Sequence, residues 1–396
     1  SNRALQFWDT ASRQIAGTVE LSRTSQALAF SPVAPLLAIN SGYDGLKLWD
    51  IVTAADQTAI AANMQPDAAV VFSPDGSLIV GATTDYKVHI WRTADATETA
   101  LLEGHTRYVY DFAFSPDGAL LASASYDKSV REWDVASGRE VAVLVGTEEQ
   151  PLDEAYSLAF SPDGALLVSG HAKGKVALWD TATGALAAVT GPGSGEIRDL
   201  AFSPDGRQIA TVSSENAFQL WDSASGAEIA ASVGHTYLMN GVAFSPDSST
   251  LAVAEWNAGL WLWNTATLDP LNVSIFAPKA SASSLSNDVL LAFAPDGSVL
   301  ATTDGFKVIL LDPTSGAEVI RMGDCRGTIV SIAFSPDSAL VAEATSDGLC
   351  VFDAASGTLL ASFVSPDWLE NAVFSPDQTM IATASKDHTV RVYTLP

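Results

Sequence analysis

The tripeptide Phe-Ser-Pro, once replaced by Phe-Ala-Pro, recurs along the whole chain. Its phenylalanine stands at Phe30, Phe72, Phe114, Phe160, Phe202, Phe244, Phe293, Phe334 and Phe374. The successive separations are 42, 42, 46, 42, 42, 49, 41 and 40 residues. A period this regular calls for one supersecondary unit used again and again, each copy burying its apolar surface against its neighbours. The best-preserved copy, Gly104 to Asp134, reads GHTRYVYDFAFSPDGALLASASYDKSVREWD. It divides into strand-like runs at Tyr108 to Phe114 and Leu120 to Ser125 and a third ending at Trp133-Asp134, with turns at Ser115 to Gly118 and Tyr126 to Ser129. Each run is too short for a helix and is bounded by turn residues.

The first turn is explicit in its chemistry. Pro116 presets φ for the second turn position, Ser115 can bond back to the backbone, and Gly118 closes a type I reversal. The units end on Trp-Asp or a near relative: Trp8-Asp9, Trp49-Asp50, Trp91-Arg92, Trp133-Asp134, Trp179-Asp180, Trp221-Asp222, Trp263-Asn264, Leu311-Asp312, Phe352-Asp353 and Tyr393-Thr394. Period, Gly-His opening, FSPDG turn and Trp-Asp closing together resemble the WD-repeat β-propeller family over nearly the whole chain. The resemblance implies an all-β, single propeller of four-stranded blades. Nine turns give nine blades, the alternative being a ring of seven or eight with surplus repeats outside it.

Length alone would suggest two or three domains, but one repeat tiling all 396 residues points to a single domain, 1–396. Ten closings against nine turns mean that the chain enters partway through a unit. Ala4 to Asp9 read as a third strand and Arg13 to Leu21 as the outer fourth strand after it, while Thr389 to Tyr393 supply another third strand. The ring is therefore expected to close by pairing of residues 4–21 with the last blade, about 366–396. Either Ala4 to Asp9 is peripheral, or it competes with Thr389 to Tyr393 for one place. Asp269 to Asp288, rich in Ser and Ala, reads as an enlarged connection between the sixth and seventh units.

A formal charge of −26, from 46 acidic against 20 basic residues, opposes binding to nucleic acid or to anionic membranes. It suits a basic protein partner, and it also keeps an apolar-rich protein in solution. No run is long and apolar enough to span a bilayer as a helix. Two cysteines, Cys325 and Cys350, are too few for a disulfide-stapled scaffold and are expected to be a loop thiol and a packed one. With no signal-like start, the expected location is cytoplasmic.

Ser123, His105 and Asp127 match a nucleophilic triad by residue type. By position they match the structural tetrad that the WD-repeat resemblance implies, with Trp133 as fourth member: a buried hydrogen-bonded set rather than a catalytic one. Only this unit keeps all four. The unit of His235 has Val253 and Asn257 in the Ser and Asp places, and the last keeps Thr383 and Asp387 with Tyr393 and no histidine. His89, His105, His171, His235 and His388 lie in different units, so no metal is expected. The run from Gly191 to Gly195 lacks the Lys-Ser/Thr and helix of a phosphate loop and reads as a turn. No cofactor is expected.

The function implied by the resemblance is a non-enzymatic scaffold presenting a loop face to protein or peptide partners. The alternatives are a sensor region of a larger signalling protein, and a small-molecule or glycan binder with polar groups in the channel. Loops entering the first strand and turns joining the second and third should share one face. That face would carry Tyr43, Tyr86, Arg107, Tyr108, Tyr126, Tyr237, Trp256 and Trp368, with Asp67, Asp153, Glu154, Glu196, Asp367 and Glu370 among them. Aromatic residues and Arg are the side chains that dominate interface energetics.

Overall fold

The computed structural model describes residues 4–9, 14–20, 27–34, 36–40, 45–50, 55–60, 63–65, 68–191, 195–215, 218–232, 239–255, 259–267, 269–271, 290–304, 306–323, 325–365, 367–375, 378, 380–385 and 390–394. Within them every regular element is a strand except one 3-10 turn, Ala172–Gly174. No helix there is long and apolar enough to cross a membrane.

Eight sheets are four-stranded antiparallel meanders, numbered first to eighth here: residues 27–60, 70–102, 109–144, 155–190, 197–232, 239–271, 291–321 and 329–364. The ninth has five strands. Leu369–Phe374, Met380–Ser385 and Val390–Thr394 run as a meander; Ala4–Asp9 then lies parallel to Val390–Thr394, and Gln14–Glu20 pairs outside it. Gln6, Phe7 and Trp8 stand opposite Arg391, Val392 and Tyr393. The two third-strand sequences, expected either to compete for one place or to leave Ala4–Asp9 peripheral, lie side by side. A ladder is made by backbone groups, so a Trp-Asp closing does not bar Ala4–Asp9 from the fourth place. The chain divides into two compact units: residues 25–231, with the first to fifth sheets, and residues 1–24 with 232–396, with the remaining four.

The closing Trp has a consistent task. Trp133 is buried among Val80, Ala82, Val88 and Ile90 of the second sheet, and Trp179 among Ala122, Ala124 and Val130 of the third. Trp221 meets Val168, Val176 and Leu178 of the fourth. In the eighth sheet Phe352 fills the same place against Val308 and Leu310 of the seventh. Each of these four rings is thus the wedge in the seam with the preceding sheet, and an aromatic ring brings the largest apolar area to that position. Strands buried on both faces need apolar residues at consecutive positions, hence the nearly continuous apolar runs.

Two turns set the spacing of the sheets. In the FSPDG turn Ser115 Oγ donates to Asp117 Oδ1 at 2.6 Å and accepts from the Leu120 amide at 2.9 Å. Gly118 there has φ of 71°. The second turn, between the third and fourth strands, carries Gly138, Gly184, Gly226 and Gly357, with φ between 65° and 68°. A Cβ at these four would fall 2.8 Å from Ala100 Cβ, 2.9 Å from Ala142 Cβ, 2.7 Å from Ala188 Cβ and 2.6 Å from Ile320 Cγ2, each on the outer strand of the preceding sheet. Glycine is required twice over, for its positive φ and for the close approach.

One expectation is corrected. Cys325 and Cys350 are not separate thiols: they form a disulfide, with Cα atoms 6.1 Å apart. Cys325 precedes Ile329 by four residues, as His105 precedes Val109, so it occupies the tetrad-histidine place and reaches the third strand of its own sheet. A sequence separation of 25 conceals that convergence.

Candidate functional site

The residues of the Ser-His-Asp set do meet, in the seam of the third sheet. Asp127 can only accept, so His105 Nδ1 donates to its Oδ2 at 2.9 Å; Ser123 Oγ donates to His105 Nε2 at 2.8 Å and accepts from Trp133 Nε1 at 3.0 Å. Asp127 also receives the Thr106 amide, the Ser129 amide and the Ser129 hydroxyl. Burial works to raise the Asp127 carboxyl, but the bonds from His105, Ser129 and Thr106 hold it well below the usual carboxylate range. Ser123 has no exposed surface, and its hydroxyl is occupied by Trp133 and His105.

A variant went unread in the sequence. In the fourth sheet Trp179 Nε1 donates to Ser169 Oγ at 2.9 Å, and Ser169 meets Nε2 of His171, also at 2.9 Å. The other ring nitrogen of His171 donates to the Asp153 carbonyl at 2.9 Å. The histidine has moved from the loop to the strand, yet still ties the strand-two serine to the loop before strand one. Burial pushes His171 down to about 4, so it is neutral at physiological pH. In the fifth sheet Trp221 donates to Thr211 Oγ1 at 3.1 Å.

The loops before strand one and the turns after strand two are hydrogen-bonded to one another. The Tyr126 amide donates to the Tyr108 carbonyl, that of Ala172 to Glu154, and that of Ser214 to Glu196. On the face they build in unit 25–231, Tyr86 meets Tyr108 edge-on at 5.3 Å, and the Arg107 guanidinium lies over the Tyr126 ring at 5.5 Å. Tyr108 is 46% exposed.

Two further tyrosines extend this surface. Tyr110 packs against Tyr126 at 6.2 Å and against Tyr156 at 5.1 Å. Both sit where the inner strand bulges, between Val109 and Asp111 and between Ala155 and Ser157. A bulge re-aims the extra side chain, which an alternating strand pattern does not reveal. The signal available was tyrosine at the same repeat position in neighbouring units.

The acidic surroundings are partly neutralised. Asp153 pairs with Lys173 at 3.0 Å and Lys128 at 3.5 Å, and Glu154 lies 3.9 Å from Lys128. Glu196 and Glu154 still act on Tyr156: burial first, then these charges, push its phenol up to about 12.

Trp368 lies in the other unit and lines a cavity of about 580 Å³ with Arg326, Asp347, Asp367 and the disulfide. Tyr43, Tyr237, Trp256 and Asp67 lie outside the described residues, as do His235, Asn257, Asp387, His388 and the side chain of Glu370. No group of three or more His, Cys, Asp or Glu among the described residues is disposed to hold a metal ion.

A family model described as the IFT122 first beta-propeller matches residues 66–288, more than half of the chain. A second, described as WD domain, G-beta repeat, matches residues 357–394. No curated protein matches the sequence. Among solved structures, that of the computationally designed Ika8 protein is similar, with a TM-score of 0.62 and 21% identity over 94% of this chain and 96% of that one. At that identity the likeness concerns the fold alone. By the two family matches, the chain belongs to the WD-repeat β-propeller family.

Proposed function

We propose that this protein is a non-enzymatic interaction scaffold whose aromatic loop face binds a protein or peptide segment carrying Lys or Arg. WD-repeat propellers generally mediate protein–protein interaction and are typically non-enzymatic. The observation that carries the reading is the group Tyr86, Tyr108, Tyr110, Tyr126 and Tyr156, in contact across neighbouring sheets with Arg107 stacked on one ring. These side chains lose little entropy when covered and supply large contact areas. The charge of −26 and the carboxylates beside Tyr156 favour a cationic partner over a nucleic acid or an anionic membrane.

The experiment is affinity capture with mass spectrometry, followed by affinity measurement for the captured partner. Tyr108→Ala with Tyr126→Ala should weaken binding at least tenfold at unchanged fold. Alterations of the FSPDG turns at Asp117 or Asp163 should leave it intact. Binding that survives the first pair and fails with the second places the partner elsewhere.

We further propose that the nine sheets are nine blades of one propeller, closed by residues 4–20 on the last. Supporting this are the repeated strand order and the wedge in successive seams within each unit. Imaging down the ring axis tests it, and seven or eight blades would overturn it.

A further inference from the structure

In the eighth sheet a covalent bond stands where the third has hydrogen bonds. Cys325 occupies the place of His105, and Glu343, opposite Ile332 and Cys350, that of Ser123, opposite Phe112 and Arg131. Residues directly opposed on neighbouring strands share a face, with Cβ atoms about 4.5–5.5 Å apart. Glu343 therefore shares a face of the sheet with Cys350, directly opposite it. It is 2% exposed, and its Oε1 has no hydrogen-bond partner among the described residues. On the other side of Cys350, Ser362 Oγ lies 3.7 Å from Sγ.

The two sulfurs are not equivalent. Cys350 is buried, whereas Cys325, on the loop before strand one, is only partly buried. Both line the cavity of about 580 Å³, which also presents Arg326, Asp347, Asp367 and Trp368. A reagent the size of a small dithiol fits in that volume, whose lining includes the cationic residue Arg326 beside Asp347 and Asp367.

We propose that the Cys325–Cys350 bond is a native-state thiol–disulfide exchange site for a small dithiol, with Cys325 the sulfur attacked and Glu343 the acid that protonates the departing Cys350 sulfur. A thiolate of the dithiol bonds to Cys325 Sγ as the Cys325–Cys350 bond breaks, and the electron pair of that bond passes to Cys350 Sγ, which takes the Glu343 proton. The second thiol of the reagent then closes on the first, releasing Cys325 as a thiolate that is protonated from water. The dithiol leaves as a cyclic disulfide, oxidised by two electrons, and its two protons restore Glu343 and supply Cys325. Burial, with the Asp304 charge adding to it, pushes the Glu343 carboxyl up to about 7, so a protonated acid is available near neutrality. Reduction frees the loop from the third strand, leaving it held by bonds such as Thr345 Oγ1 to the Arg326 carbonyl.

The test treats the folded chain with dithiothreitol, quenches by alkylation and reads labels by mass. Disulfide loss should be first order in dithiothreitol and indifferent to urea below the unfolding transition. Glu343→Gln should slow it at least fivefold. Glu343→Ser, which installs the third-sheet residue, provides a second variant should the first fold poorly, and should slow it likewise. With the partner removed, Cys325 in Cys350→Ser should label in the folded state, and Cys350 in Cys325→Ser only on unfolding. A rate that saturates with dithiothreitol and rises with urea, wild-type rates in both Glu343 variants, the reverse labelling order, or two free thiols before reduction would each overturn the proposal.

Discussion

At Ser123 one hydroxyl accepts from Trp133 and donates to His105, so removing any member of the chain strands a buried polar partner. His105→Ala, Ser123→Ala and Trp133→Phe should each destabilise by about 1–3 kcal/mol, read by denaturant unfolding, with partner binding unchanged. Unchanged stability in all three would mean that the network is not structural. These four residues were legible because each sits at a fixed offset from the turn and the closing Trp. His171 was not, because its contact with Ser169 depends on which seam its strand faces. Cys325 and Glu343 were illegible for a related reason: they replace the tetrad by residues of different chemistry at the same positions.

Among the elements, the two glycine turns separate backbone cost from packing cost. A Cβ at Gly118 would meet Pro74 Cδ at 3.5 Å, an ordinary contact, and Ser248 and Ser338 hold the same turn position in the sixth and eighth sheets at φ of 64°. Gly118→Ala should therefore cost only the left-handed penalty, about 1–2 kcal/mol. Gly138→Ala adds an approach of 2.8 Å to Ala100, and should cost a further ~1–3 kcal/mol because the neighbouring outer strand must shift. Equal unfolding midpoints for the two variants would contradict the close packing of that turn on the preceding sheet. The FSPDG turn was plain in the sequence because Pro, Asp and Gly each have a local reason to be there. The Gly138 turn was not, since half of its reason lies in the preceding repeat, and the inner-strand bulges that lift Tyr110 and Tyr156 leave no local composition signal.

Over the whole molecule, acidic groups of opposite tendency fix how stability varies with pH. Aspartates of the FSPDG turns, such as Asp75, Asp117, Asp163, Asp205 and Asp337, are held below the ordinary value by their serine neighbours. Their contribution is present above pH ~3.8 and is lost as pH falls further. His171, lowered by burial, contributes above pH ~6.5 and loses that contribution as pH falls toward about 4. Three carboxyls, Glu132 and Glu343 buried and Asp111 partly so, act the other way. Burial pushes Asp111 up to about 6, and Glu132 and Glu343 up to about 7, with Asp199, Asp180 and Asp304 respectively adding to it. Their folded-state values lie above the unfolded ones, so their contribution is full below pH ~4 and is lost as pH rises through 6 to 7. Three such groups outweigh one histidine, and self-repulsion at a charge of −26 acts in the same sense. The unfolding temperature should rise from pH 8 to about pH 5 and fall again below pH ~4. Glu132 isolates the upper limb: it is fully buried, neither carboxylate oxygen has a hydrogen-bond partner among the described residues, and the corresponding residue in the next two sheets is Leu178 or Leu220. Glu132→Leu should stabilise by on the order of 3 kcal/mol at pH 8 and by almost nothing from this source at pH 4, flattening the profile between. Scanning calorimetry of both proteins across pH 3–8 measures it, and a stabilisation independent of pH would show that Glu132 is not the carboxyl that titrates in the seam.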